Sequence, residues 1–354
     1  MLVVNLVGCS GSSGSKAGPQ TPGSSARSAQ VVSPSQARFL GDLDDDGEAS
    51  VGDAIKILRI VVGLDAENEC ADANENGSTD VGDAIKVLRC VVGLDDWPIG
   101  GASQTVGPDG QTLVWASAGT FIMGSEDGYS DEKPVHLVTL DGFWIGQCEV
   151  TNDQYAAFLN EAGSANVSAW IALAHCSISY VDHVYRANGQ MGAHPVVEVR
   201  WPGAVAYCDH YGYALPTEAQ WEYAAKGPSA LTYPWGDVWD EQKCCNYDNR
   251  GPFGRAFEVG SFPDDGSWCG ALDMAGNVWE WCADWWSLDY YATSPECNPP
   301  GPADGSFKAM RGGSWSNYGG PPRSYDACRT AARYSGKTTG TCEFTGFRVA
   351  ASSL

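Results

Sequence analysis

Basic residues are scarce in this chain: 21 Lys and Arg stand against 44 Asp and Glu over 354 residues, a formal net charge of −23. Such a surface repels phosphate backbones, which excludes nucleic acid and makes divalent cations the natural counter-charge. No run approaches the ~20 apolar residues of a membrane helix. No CxxC pair occurs, so a zinc cluster is not expected. The histidines, His136, His175, His183, His194 and His210, show neither HxH nor HxxxH spacing and read as packed or hydrogen-bonded side chains. Neither a GxSxG elbow nor a GxxxxGK[ST] phosphate loop is present. Acids are too numerous for a glycosidase pair to be picked from sequence, because such a pair is defined by separation in space.

What the chain does have is 43 glycines, 19 prolines and 14 tryptophans. That composition predicts turns and irregular segments held by large aromatic side chains, with modest regular secondary structure. Thirteen cysteines suit an oxidising compartment better than the cytosol. The length and the 43% hydrophobic content suffice for two or three domains.

Residues 1–9 read MLVVNLVGC, and Leu6-Val7-Gly8-Cys9 resembles the lipobox of a lipoprotein signal. Acylation of Cys9 would leave twelve cysteines, an even number. A basic n-region is missing and the apolar run is short, so a plain secretory start stands beside lipid anchoring. Either way the expected place is extracellular or at the cell surface, with any membrane attachment by lipid alone. Residues 10–38, rich in Ser, Gly, Ala, Gln and Pro, form a flexible tether.

An internal repeat follows. VGDAIKILRIVVGLD at 51–65 returns as VGDAIKVLRCVVGLD at 81–95, and an acidic loop precedes each copy. The first loop supplies Asp42, Asp44, Asp46, the Glu48 carbonyl and Asp53; the second supplies Asp72, Asn74, Asn76, the Ser78 carbonyl and Asp83. Oxygen ligands at these spacings, with a glycine at the sharp turn, make the calcium loop of EF-hands. A helical apolar stripe leaves each loop, ending at Gly63 and Gly93. Loop and exiting helix, twice over, resembles a dockerin. The resemblance implies a small all-α module at 39–96, two Ca2+ ions and a cohesin-like or cell-surface scaffold partner. Lys56, Arg59, Lys86 and Arg89 are candidates for the docking face. A Gly/Pro-rich linker at 97–110 separates it from a large domain at 111–354.

In the large domain HLVTLDGFWI at 136–145 alternates as a strand. Thr151 is placed to cap a helix carrying Tyr155, Phe158 and Leu159, and a second helix starts at Pro202. Thr217 and Gln220 stand in capping-box positions at the head of a third.

The segments FIMGS at 121, EVTNDQYAAFL at 149, HPVVEVRW at 194, LPTEAQWEYAA at 215, YPWGD at 233, DMAGNVWEWCADWW at 273, RGGSW at 311 and GFR at 346 occur in one order. In that order they resemble the formylglycine-generating enzyme, or sulfatase-modifying factor, family. The resemblance implies an α+β, C-type-lectin-like fold with little regular secondary structure, its core filled by tryptophans such as those at 221, 235, 279, 281, 285 and 286. It also implies one or two structural Ca2+ ions, with Asn277, Val278 and Glu280 in one loop and Asn246 opening a second.

The genuine enzymes carry two copper-binding cysteines after the GGS. Here Asn317 occupies the first place and the second falls near Tyr325, so copper and copper-dependent formylglycine generation are not expected. Cys328 is expected in a structural disulfide, with Cys342 a candidate partner. Related variable proteins use the surface between RGGSW and GFR as a receptor site. The matching candidates are Trp315, Asn317, Tyr318, Arg323, Tyr325 and Tyr334, suited to a sugar or protein ligand, with loop packing as their competing role. The leading reading is an exported calcium-binding protein that docks a non-catalytic binding domain. The alternative is a divergent sulfatase-maturation oxidase.

Overall fold

The computed structural model describes residues 55–57, 104–163, 166–250, 254–316 and 324–352. Residues 55–57, in the first repeat helix, are helical. The calcium-loop positions from Asp42 to Asp53 and from Asp72 to Asp83, and Cys9, lie outside the described residues, as do Asn317, Tyr318 and Arg323.

Two four-stranded sheets organise the large domain. One has the order β1 (Gln104–Val106), β2 (Thr112–Ala116), β5 (Phe143–Gly146), β12 (Ala350–Ala351), all antiparallel. Its register sets Val114 against Ile145, so two buried β-branched side chains share a row. The other runs β10 (Tyr334–Gly336), β9 (Lys308–Arg311), β8 (Trp279–Trp285), β11 (Thr345–Gly346), with only the β8–β11 pair parallel. Two hairpins stand apart: β3 (Gly119–Met123) with β4 (His136–Leu140), and β6 (Ile178–Val181) with β7 (Val184–Ala187). The stretch 136–145 is therefore two strands in different sheets, because the chain turns at Asp141-Gly142. At Gly142 a Cβ would fall 2.3 Å from the Trp115 ring, so glycine lets the turn pass over the indole.

Six α-helices of the large domain are described, and the short ones are single turns. The helix α1 (Asn152–Ala162) starts at the expected cap: the Thr151 side chain accepts from the Gln154 N–H, and Gln154 Oε1 accepts from the Thr151 N–H. After α2 (Val167–Trp170), helix α3 (Trp201–Tyr211) carries Pro202 in its first turn and closes on left-handed Gly212. Helix α4 (Glu218–Lys226) has the second capping box, Thr217 with Gln220. Single turns α5 (Tyr247–Arg250) and α6 (Ser324–Ala327) complete the set. Among the described residues no helix is long and apolar enough to cross a membrane.

The core gathers Tyr155, Phe158 and Tyr207 around Phe347, with Trp279 and Trp281 contributed by β8. Trp221, Trp279 and Trp281 are buried as expected of core tryptophans, whereas Trp235, Trp285 and Trp286 are only half-buried. The large aromatics thus supply volume that strands of two to seven residues cannot.

Candidate functional site

Both ends of the 311–348 stretch are structural clamps. Arg311, at the end of β9, donates to the Ala331, Ala332 and Thr330 carbonyls at 3.0, 2.9 and 3.0 Å and pairs with Glu222. Glu222 also accepts from Lys226 at 2.7 Å and from the Gly124 N–H at 2.8 Å. Arg333 forks onto Glu218 at 2.6 and 2.8 Å, and Arg329 onto Glu132 at 2.6 Å through each nitrogen. Arg348 forks onto Glu280 at 2.6 and 2.7 Å and donates to the Gly146 and Leu272 carbonyls. Burial alone pulls each guanidinium of Arg311, Arg333 and Arg348 toward neutrality, but the facing carboxylates outweigh it and the three are held above the usual arginine range. Their forks are spent on the fold.

Side chains of the expected calcium loops of this domain also carry protein hydrogen bonds. Both Glu280 oxygens face Arg348, and Oε2 also accepts from Trp221 Nε1 at 2.8 Å. Asn277 sits at φ +55° with its Oδ1 accepting from the Phe257 N–H at 2.9 Å, and its own carbonyl accepts from Trp315. Val278 is a core side chain packed beside Gly346. Asn246 caps α5: its Oδ1 accepts from Asp248 and Asn249, and its Nδ2 donates to the Glu241 and Cys244 carbonyls. A hard cation at the side chains of Asn277, Glu280 and Asn246 would compete with these protein hydrogen bonds. Among the described residues no three His, Cys, Asp or Glu side chains form a metal cage.

Next to the Arg348 clamp lies an acid cluster that the sequence reading did not single out. Glu149, Asp265 and Asp273 are buried, and both Glu149 oxygens and Asp265 Oδ1 lack a hydrogen-bond donor. Burial first, and the neighbouring Asp273 second, push Glu149 well up and Asp265 to about 8; burial likewise raises Asp273. Burial disfavours the charged form of each of these acids. A cleft of about 160 Å3 is lined by Glu149, Cys148, Gln111, Gln147 and Gln154.

Inside the 311–348 stretch, Gly313 takes φ +81°, and a Cβ there would lie 2.8 Å from the Ala327 carbonyl oxygen and 3.0 Å from Cys328 Sγ. Trp315, expected at the binding surface, is instead core: it is 6% exposed, and its indole points to the Glu343 carbonyl at 3.4 Å. Its N–H bond to Asn277 draws it inward. Tyr334 is half-buried on β10 with its ring 5.2 Å from that of Trp279. Tyr325, in α6, is half-buried and its carbonyl accepts from the Tyr233 hydroxyl at 3.0 Å.

That bond brings an unexpected aromatic shelf to the stretch. Tyr233 stacks on Trp235 at 5.4 Å and 8°, and Trp239 closes against both at 5.3 and 6.1 Å. Trp235 and Trp239 remain half-buried, with exposed Asp237, Val238 and Asp240 beside them in sequence. Two tryptophans spaced across a Gly/Asp-rich loop were the available signal, but YPWGD reads first as core. Beneath the shelf, Cys244 and Cys328 pack together with Ala275, both thiols wholly buried. Cys342 packs against a different part of the core, which corrects its expected pairing with Cys328.

Two small sheets joined by long loops, buried arginine clamps and a tryptophan-filled core define a loop-rich mixed helix and strand domain of the sulfatase-modifying kind. Residues 102–353 match the Sulfatase-modifying factor enzyme 1-like domain, and the chain belongs to that family. It is 33% identical to a formylglycine-generating enzyme of Thermomonospora curvata over 289 residues, covering 68% of this chain and 94% of that one. It is 38% identical over 215 residues to the serine/threonine-protein kinase Pkn1 of Chlamydia trachomatis, covering 58% of this chain; the chain spans only 33% of that kinase's length. Treponema denticola variable protein 1 superposes with a TM-score of 0.56 at 25% identity, covering 71% of this chain and 99% of that one.

Proposed function

We propose that the protein is an exported binding module, in which a calcium-loaded dockerin-like repeat docks a C-type-lectin-like, sulfatase-modifying-factor domain that recognises a sugar or protein instead of oxidising cysteine. The observation that carries this reading is the aromatic shelf of Trp235 and Trp239, anchored through Tyr233 to the backbone of Tyr325 and adjoining the stretch where the family's catalytic cysteines would stand. Half-buried indoles held by stacking offer rigid faces for a sugar ring or an apolar side chain at little entropic cost. The likeness to a variable protein supports recognition as the use of this fold.

The second reading, a divergent sulfatase-maturation oxidase, is favoured by the likeness to formylglycine-generating enzymes along most of their length. One set of measurements separates the two. The full chain is incubated with Cu(I) and a sulfatase-type cysteine peptide, and aldehyde formation is followed by mass spectrometry. In parallel it is screened against immobilised oligosaccharides and cell-surface proteins. The binding reading expects no aldehyde, and a retained ligand whose affinity drops tenfold or more, on the order of a stacking hot spot, in Trp235→Ala or Trp239→Ala. Aldehyde formation that Cys328→Ser abolishes would overturn it.

A further inference from the structure

We propose that Cys244 and Cys328 are the two halves of a disulfide that staples the candidate recognition stretch to the 241–250 loop. The inference is independent of which ligand, if any, the shelf binds. Both thiols are wholly buried, and Ala275 is the remaining buried member of their cluster, with Trp235 and Trp239 packed over it. The backbone at Gly313 and Gly276 and the Asn246 side chain converge on the same point. A Cβ on Gly313 would meet Cys328 Sγ at 3.0 Å, a Cβ on Gly276 would meet Cys244 Cβ at 3.4 Å, and the Asn246 amide reaches Cys244 Sγ at 3.5 Å. Cys328 follows α6 directly, so a bond here would fix the middle of the 311–348 stretch.

The chemistry of the pocket selects a disulfide over a thiolate metal site. The Cys244 thiol first, and burial second, hold Cys328 protonated, well above the ordinary thiol range, and Asp248 adds to the effect. Two thiolates around a monovalent ion would leave a buried net negative charge beside that carboxylate, whereas a disulfide is neutral. Formation removes two protons and two electrons from the thiols. One thiolate attacks a disulfide donor, such as an exchange catalyst or an oxidised small thiol, and gives a mixed disulfide. The second thiolate displaces the donor's remaining sulfur, and the donor leaves as two thiols. Because both sulfurs are inaccessible in the fold, exchange takes place during folding, and the finished bond is shielded from reductants.

The test uses the full chain, refolded in oxidised and reduced glutathione, then denatured without reductant, alkylated and digested. The expected product is one cross-linked peptide pair joining Cys244 to Cys328, 2 Da lighter than the two free-thiol peptides. Cys245→Ser keeps the link, which separates the neighbouring cysteine from the true partner. Cys244→Ser and Cys328→Ser each lose the link and lower Tm by about 5–15 °C, and the double variant loses no more than either single one. Alkylation of both cysteines in the wild-type chain, a link from Cys328 to any other cysteine, or a stoichiometric metal retained with both thiols would each overturn the proposal. The wild-type peptide map decides even where a serine variant fails to fold.

Discussion

Arg348 and Glu280 meet through two parallel N–H···O bonds of 2.6 and 2.7 Å, with both side chains fully out of solvent. The last word of the family signature, GFR, is thus the partner of its WEW, and the pair joins the end of the chain to the central strand β8. Removing one member leaves a buried charge without its counterion. Glu280→Gln and Arg348→Met are each expected to cost about 3–5 kcal/mol, with a smaller loss when both are replaced by apolar residues of similar volume. Urea unfolding monitored by tryptophan fluorescence checks it. Single losses below about 1 kcal/mol would show that the pair carries little.

The clamp also shows what the sequence could and could not say. Local rules were legible: Thr151 with Gln154 and Thr217 with Gln220 are three residues apart, and helix capping is decided within one turn. Pro202 and Gly212 bound α3 for equally local reasons. The ordered motifs from FIMGS to GFR were enough to give the family. Nothing near Glu280 in sequence reveals that Arg348, 68 positions on, meets both of its oxygens. Trp315 was read as surface, since a Trp between two serines has no local sign of the Asn277 carbonyl that draws it into the core. The partner of Cys328 and the acids around Glu149 likewise depend on long-range packing, which spacing does not encode.

Gly313 separates backbone strain from crowding. Gly110 has nearly the same positive φ, +79° against +81°, yet a Cβ there would meet nothing within 4 Å. Gly110→Ala is expected to cost about 1–2 kcal/mol, the penalty for a left-handed alanine. Gly313→Ala is expected to cost at least about 1 kcal/mol more, because the methyl would press on the Ala327 carbonyl and Cys328 Sγ. Equal losses in thermal unfolding would mean that the Cys328 pocket yields freely.

Stability should fall as pH rises toward neutrality, opposite to the trend of an ordinary paired carboxylate. Burial raises Asp265 to about 8 and Asp284 to about 7, and the neighbouring acids Asp273 and Glu218 add to it. An acid with a folded value above its unfolded value of about 4 binds more protons folded than unfolded between the two. Its stabilisation is complete below about pH 4 and is lost as pH climbs through the folded value. Asp265→Asn keeps an oxygen to accept from the Asp273 N–H but cannot ionise. The variant should gain on the parent by on the order of a few kcal/mol between pH 5 and pH 8, read from urea midpoints at each pH. A difference that does not change with pH would show that Asp265 titrates normally.

Calcium removal should act on the repeat and spare the large domain. Asn277, Glu280 and Asn246 already spend their side-chain oxygens on protein donors, whereas the ten repeat ligands from Asp42 to Asp83 have the oxygen spacing of two calcium loops. Because such loops lack a neutralising cation of their own, their carboxylates repel one another once the metal is stripped, and ligand release becomes loss of structure. Hydrogen exchange with and without chelator should therefore show protection lost within residues 39–96 and unchanged on β8, β9 and α4. Calorimetric titration should find two ions, falling to one in Asp42→Ala or Asp72→Ala. Exchange that rises across β8 on chelation, or an undiminished count in those variants, would move the calcium from the repeat to the large domain.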